Sequence, residues 1–202
     1  HRRDHPLLKP ASYCTLISAC CITDASLFDY DGDVVLACYL LNNSFRSPDR
    51  IELYRKTRDQ VHPEGGDKLL RNDGNTFTDV TLEAGIYSSD IGFGLGVSVS
   101  DLNGDLLPDI YVSNDFWERD YLYLNQGDGT FSEQLDQRLG ICSFSSMGAD
   151  IADLNNDGFP DIMSTDMLPG DNQRLKTLTQ FTPFYLKNIQ SDASYHYQIL
   201  QN

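Results

Sequence analysis

Asp101-Leu102-Asn103-Gly104-Asp105-Leu106-Leu107-Pro108-Asp109-Ile110 returns 52 residues later as Asp153-Leu154-Asn155-Asn156-Asp157-Gly158-Phe159-Pro160-Asp161-Ile162. A worn third copy reads Asp29-Tyr30-Asp31-Gly32-Asp33-Val34-Val35-Leu36-Ala37. A second motif keeps nearly the same period. Asn125-Gln126-Gly127-Asp128-Gly129-Thr130-Phe131 echoes the one-residue-shorter Asn72-Asp73-Gly74-Asn75-Thr76-Phe77, with the phenylalanines 54 apart. Two unrelated motifs at one spacing mean that a structural unit of about 50 residues is used repeatedly.

The residues around these motifs say what the unit is. Before the second acidic stretch, Phe93, Leu95, Val97 and Val99 alternate with Gly94, Gly96, Ser98 and Ser100. That is period two, a strand with small residues on one face. Ile110-Tyr111-Val112 is β-branched and aromatic, a second strand. Tyr121-Leu122-Tyr123-Leu124 runs into the Asn125–Gly129 turn cluster and out through Thr130-Phe131, which predicts a hairpin. Each unit therefore holds about four short strands, and four-stranded units in series predict an all-β fold, a β-propeller. Residues 26–202 are expected to carry the repeats, as three to four blades, with 1–25 unassigned. Helical spacing is visible mainly from Asp171 to Phe184, where Leu175, Leu178, Phe181 and Phe184 recur.

The acidic stretches have the spacing D-x-[DN]-x-D-x-x-x-D. Alternate residues of a tight loop can turn side-chain oxygens toward one centre, and the carbonyl at position 7 can join them. An oxygen-only set suits Ca²⁺, which takes 6 to 8 oxygens in loose geometry, better than Mg²⁺. No histidine or cysteine enters the set, which disfavours zinc and copper. The expected ligands are Asp153, Asn155, Asp157, Asp161 and the Phe159 carbonyl in the last loop. In the middle loop they are Asp101, Asn103, Asp105, Asp109 and the Leu107 carbonyl. The first loop offers Asp29, Asp31 and Asp33. Two carboxylates 5 Å apart repel by roughly 3 kcal/mol at an effective dielectric near 20, so three gathered in one loop call for a cation. Turn preference alone explains one Asp-rich loop. It does not explain two loops that match through Pro at position 8 and Asp at position 9. Position 6 is Gly158 in the last loop, Leu106 in the middle and Val34 in the first, and position 9 of the first is Ala37. Affinity is expected to fall in that order, with a strained or different turn at Leu106.

Composition bounds the rest. The 202 residues carry 15 basic and 30 acidic side chains, a net charge of −15. Of the acids, 25 are aspartate and 5 glutamate, a skew toward turns and hard-cation sites rather than helices. Such acidity excludes a nucleic-acid partner and adhesion to anionic lipid. No apolar run is long enough for a membrane-spanning helix, so no membrane insertion is expected. The five cysteines, Cys14, Cys20, Cys21, Cys38 and Cys142, include no CxxC pair and read as small apolar residues. Leu16-Ile17-Ser18-Ala19-Cys20 behind Arg2-Arg3 resembles a lipoprotein signal, but its apolar stretch is short and polar.

Phe93-Gly94-Leu95-Gly96-Val97 leading into Asp101–Val112 resembles an FG-GAP/VCBS repeat, the unit of the integrin α-subunit propeller and of many secreted bacterial proteins. Gly127–Phe131 and Phe77-Thr78-Asp79-Val80-Thr81-Leu82-Glu83-Ala84-Gly85-Ile86 resemble connecting segments of the cartilage-acidic-protein-like group, whose bacterial members end in an ASPIC/UnbV domain. The resemblance implies a propeller of roughly seven blades, with calcium in the blade loops and an extracellular or cell-envelope location. It also implies that the remaining blades come from a longer parent chain.

The expected function is a non-catalytic module binding protein or glycan, with calcium in a structural role. The alternative is a polysaccharide hydrolase or lyase using the plentiful acids. Carboxylates held ionised by a metal are poor general acids, and neither HExxH nor GxSxG occurs. Trp117, the sole tryptophan, lies in a polar loop beside Glu118 and Arg119. It is expected either to pack between blades or to serve as a contact residue. His196, between two tyrosines, is expected to be structural.

Overall fold

The computed structural model describes residues 21–44, 58–116, 118–166 and 198–199. Strands β1 (Ile22–Phe28), β2 (Ala37–Asn42), β3 (Lys68–Asn72) and β4 (Phe77–Asp79) form one four-stranded antiparallel sheet in sequence order. Strands β5 (Gly94–Ser100), β6 (Asp109–Asn114), β7 (Tyr121–Asn125) and β8 (Phe131–Glu133) repeat that sheet. The one-turn helix α1 (Leu135–Arg138) and β9 (Cys142–Ser143) follow. Strands β10 (Ser146–Ala152) and β11 (Asp161–Asp166) then form the first hairpin of a third unit. Strand β12 (Gln198–Ile199) pairs parallel with β9. The fold is all-β, and its antiparallel sheets are blades of the propeller type. The Asp171–Phe184 spacing, Trp117, His196, Cys14 and Cys20 lie outside the described residues.

The strand opening each unit sits beside its counterparts. β5 packs against β1 on one side and β10 on the other. The glycine and serine face of β5 is what allows the second contact. A Cβ at Gly96 would come within 3.2 Å of the Gly148 Cα in β10. The Ser98 hydroxyl donates to the Ala149 carbonyl at 2.7 Å. On the β1 side, the Val97 N–H donates to Asp24 and the Thr23 hydroxyl to the Gly94 carbonyl.

The middle blade is buried on both faces, so its strands are apolar at successive positions. Ile110, Val112, Tyr121 and Tyr123 point to the first blade, into a core with Tyr39, Leu41, Leu69 and Phe131. Tyr111, Leu122 and Leu124 point to the other side, where Leu135, Cys142, Ala149, Ile151 and Ile162 meet them. The expected strand periodicity therefore holds, and the core is a stack of inter-blade layers.

Candidate metal-binding hairpin loops

All three acidic stretches occupy the same place, the connection from the first to the second strand of a unit. Asp29 follows β1, Asp101 follows β5 and Asp153 follows β10, while Ala37, Asp109 and Asp161 open β2, β6 and β11. The first and middle loops share a partner, because the Asn125 amide donates to the carbonyls of Tyr30 and Pro108.

One hydrogen-bond pattern shapes each loop. The position-1 carboxylate accepts from the backbone. Asp29 takes the N–H groups of Gly32 and Val34 at 2.8 and 2.9 Å. Asp101 takes those of Gly104, Asp105 and Leu106. Asp153 takes those of Asp157 and Gly158. The position-5 carboxylates of Asp33, Asp105 and Asp157 each accept the N–H two residues on. Asn103 and Asn155 do the same from position 3. These are Asx turns in series.

The backbone is also shared. Position 4 is left-handed in all three loops, at Gly32, Gly104 and Asn156. Position 6 is left-handed too, with φ of 68° at Val34, 69° at Leu106 and 88° at Gly158. The expected alternative of a different turn at Leu106 is not realised. The middle loop keeps the glycine conformation with a leucine in it and carries the strain.

The loops differ in what their carboxylates do next. Oxygens of Asp29, Asp31 and Asp33 lie within 4.8 Å of one another, the sole three-carboxylate gathering of this kind among the described residues. Oxygens on opposite sides of an ion at 2.3–2.6 Å are about 5 Å apart, so this set fits Ca²⁺ in spacing and in donor chemistry. The first loop has a third aspartate, Asp31, where the other two have Asn103 and Asn155, so it alone can gather three carboxylates from positions 1, 3 and 5. In the other two loops the position-9 acid turns to the backbone. Asp109 accepts from Leu102 and Asn125, and Asp161 accepts from Leu154. Burial pushes the Asp109 carboxyl up, against those N–H donors and with help from Asp105 and Asp101. Burial also pushes Asp101 up, but the N–H groups of Leu106, Gly104 and Asp105 outweigh it and hold the carboxyl low.

The sequence reading missed a second set of acids at the far end of the blades. Asp67 and Asp120 each stand one residue before a third strand, and both are buried. Their signal was a third repeat, Asp67-Lys68-Leu69-Leu70-Arg71-Asn72 against Asp120-Tyr121-Leu122-Tyr123-Leu124-Asn125, offset by 53. Nearby, Arg119 pairs with Glu133 and Arg58 with Glu118, and the two guanidinium groups lie over Tyr121 and Tyr87. Arg119 holds Glu133 below its ordinary range despite a larger opposing push from burial. Cys38 and Cys142 are buried free thiols, and burial pushes both up, Cys142 to about 12, which disfavours the thiolate.

Comparison with known sequences agrees with this geometry. Residues 101–164, from the middle acidic loop through β11, match the model of the FG-GAP-like repeat. Over these residues the chain carries an FG-GAP-like repeat. Human integrin alpha-7 is 40% identical over 93 residues, covering 41% of this chain and 8% of the human protein. Mouse integrin alpha-7 is 34% identical over 127 residues, covering 56% of this chain and 10% of the mouse protein. The chain therefore spans about a tenth of the length of these relatives. The FG-GAP match begins at Asp101 itself, so the acidic hairpin is integral to the repeat.

Proposed function

We propose that this chain is a non-catalytic, calcium-stabilised segment of an FG-GAP propeller, working outside the cytoplasm as a module that binds a protein or glycan. The observation that carries the proposal is the convergence of Asp29, Asp31 and Asp33 at a hairpin end whose form recurs in the next two units. Asp101, Asn103, Asp105, Asp109 and the Leu107 carbonyl would supply the middle site. Asp153, Asn155, Asp157, Asp161 and the Phe159 carbonyl would supply the last. A cation there cancels carboxylate repulsion and ties the hairpin down. Because it binds the folded state, it adds stability by mass action.

The integrin relatives support the adhesive reading and the extracellular location. Among the described residues, no helix is long and apolar enough to cross a membrane. In the same reading, further blades from a longer parent chain complete a ring of about seven. Thermal unfolding with 2 mM CaCl₂ or with EDTA tests the proposal, at about the millimolar level that suits extracellular sites. Calcium is expected to raise the melting temperature. Equal melting temperatures would remove the structural role assigned to the ion.

A further inference from the structure

Asp67 and Asp120 form a repeated device that the metal loops do not use. The Tyr39 hydroxyl donates to Oδ2 of Asp67 at 2.9 Å, and the Asn42 N–H donates to Oδ1 at 2.9 Å. One blade on, the Tyr111 hydroxyl donates to Oδ2 of Asp120 at 2.7 Å, and the Asn114 N–H donates to Oδ1 at 2.8 Å. The same asparagines close the turn, their side-chain amides donating to the carbonyls of Gly66 and Arg119.

Both carboxyls lie at a blade interface. Asp67 faces Tyr39 on β2, Tyr121 and Tyr123 on β7 of the next blade, and Lys68 on its own strand. Asp120 faces Tyr111 on β6, Cys142 on β9, Ser146 on β10 and its neighbour Arg119. Neither makes an ion pair among the described residues. The Lys68 ammonium goes to Asp79, and the Arg119 guanidinium goes to Glu133 and Asp136. Each negative charge is therefore buried without an ion-pair partner, and that loss of solvation favours the protonated form, while the neutral donors around it oppose the shift only in part.

We propose that Asp67 and Asp120 are proton-binding switches at successive blade interfaces, each taking a proton between Oδ2 and the tyrosine oxygen as the surroundings acidify, and so tightening the stack of blades. The bonding leaves one place for that proton. Oδ1 faces a backbone N–H, which cannot accept. A phenol oxygen can both donate and accept, so Tyr39 and Tyr111 turn from donor to acceptor when a proton from solvent arrives on Oδ2.

Burial pushes Asp67 up to about 7 and Asp120 up to about 6, against the donors that oppose it. Both values lie above the ordinary 3.8 of the unfolded chain. The stabilisation is therefore full at low pH and is lost as pH rises through the folded values. Between pH 5 and pH 8 the folding constant falls by about 10²-fold through Asp67 and about tenfold through Asp120.

Urea unfolding of the wild type and of Asp67→Asn, at fixed calcium from pH 5 to pH 8, tests this. The asparagine amide mimics the protonated acid, accepting from Asn42 and donating to Tyr39. The ratio of variant to wild-type folding constants is expected to rise by about 10²-fold across the range. A ratio that stays constant overturns the proposal. ¹³C NMR of the aspartate carboxyls in the wild type gives a second readout that needs no variant. Two carboxyls with midpoints above pH 5.5 are expected, and titration of every carboxyl below pH 5 would overturn it.

Discussion

Leu106 is the residue whose replacement reports most directly on the shared loop backbone. It sits at φ 69° with 90% of its surface exposed, so its side chain contributes almost no packing. The left-handed conformation costs a non-glycine residue roughly 1–2 kcal/mol. Glycine removes that cost but returns about 0.4–1 kcal/mol through the freer unfolded chain. Leu106→Gly is therefore expected to stabilise the protein by roughly 0.5–1 kcal/mol, by difference of those two quantities. Val34, at φ 68° and 88% exposed, should respond at least as strongly, because β-branching makes that region less favourable. The reciprocal change Gly158→Leu, at φ 88° with open space around it, should destabilise by a similar amount. Urea unfolding midpoints, taken in calcium and in EDTA, measure all three changes. If Leu106→Gly lowers stability in both media, the three hairpins do not share a backbone and the reasoning from one loop to the next fails.

Further expectations concern the rest of the fold. A Cβ at Gly66 would stand 2.1 Å from the Ser88 carbonyl oxygen, so Gly66→Ala should force the two backbones apart and cost about 2 kcal/mol or more in urea unfolding. Leu124, buried between the second and third units, should cost about 2–5 kcal/mol as Leu124→Ala by the same assay. Arg119→Met strands Glu133 and should cost about 3–5 kcal/mol near neutral pH. Glu133 is held low when folded, so the pair's contribution is present above the ordinary glutamate range and fades as pH falls through the folded value. The penalty of Arg119→Met should therefore shrink as pH falls through and below the ordinary glutamate range, and a penalty independent of pH would contradict the pairing.

The repeat of Asp101–Ile110 at Asp153–Ile162 was enough to read the blade, because tight turns and period-two strands leave local signatures. The equivalence of the worn Asp29–Ala37 copy was legible for the same reason. What the sequence hid was the use of each carboxylate. Asp109 and Asp161 have the ninth-position spacing of ligands, and each also accepts the N–H of the residue after the loop's first aspartate, seven positions back. Position 9 of the first loop is Ala37, and there Asp29, Asp31 and Asp33 converge without a fourth acid. Asp67 and Asp120 were hidden because their partners, Tyr39 and Tyr111, lie on another strand, reached only after the sheet has formed.

The hairpin loops as cation sites are tested most directly by calorimetric titration of the wild type and of Asp31→Asn with CaCl₂ at fixed pH. Asp31 is one of the three converging acids and has no part in the Asx-turn bonds described for its loop, so the variant should keep its fold and lose one binding event. An isotherm identical to that of the wild type would show that the converged carboxylates hold no ion.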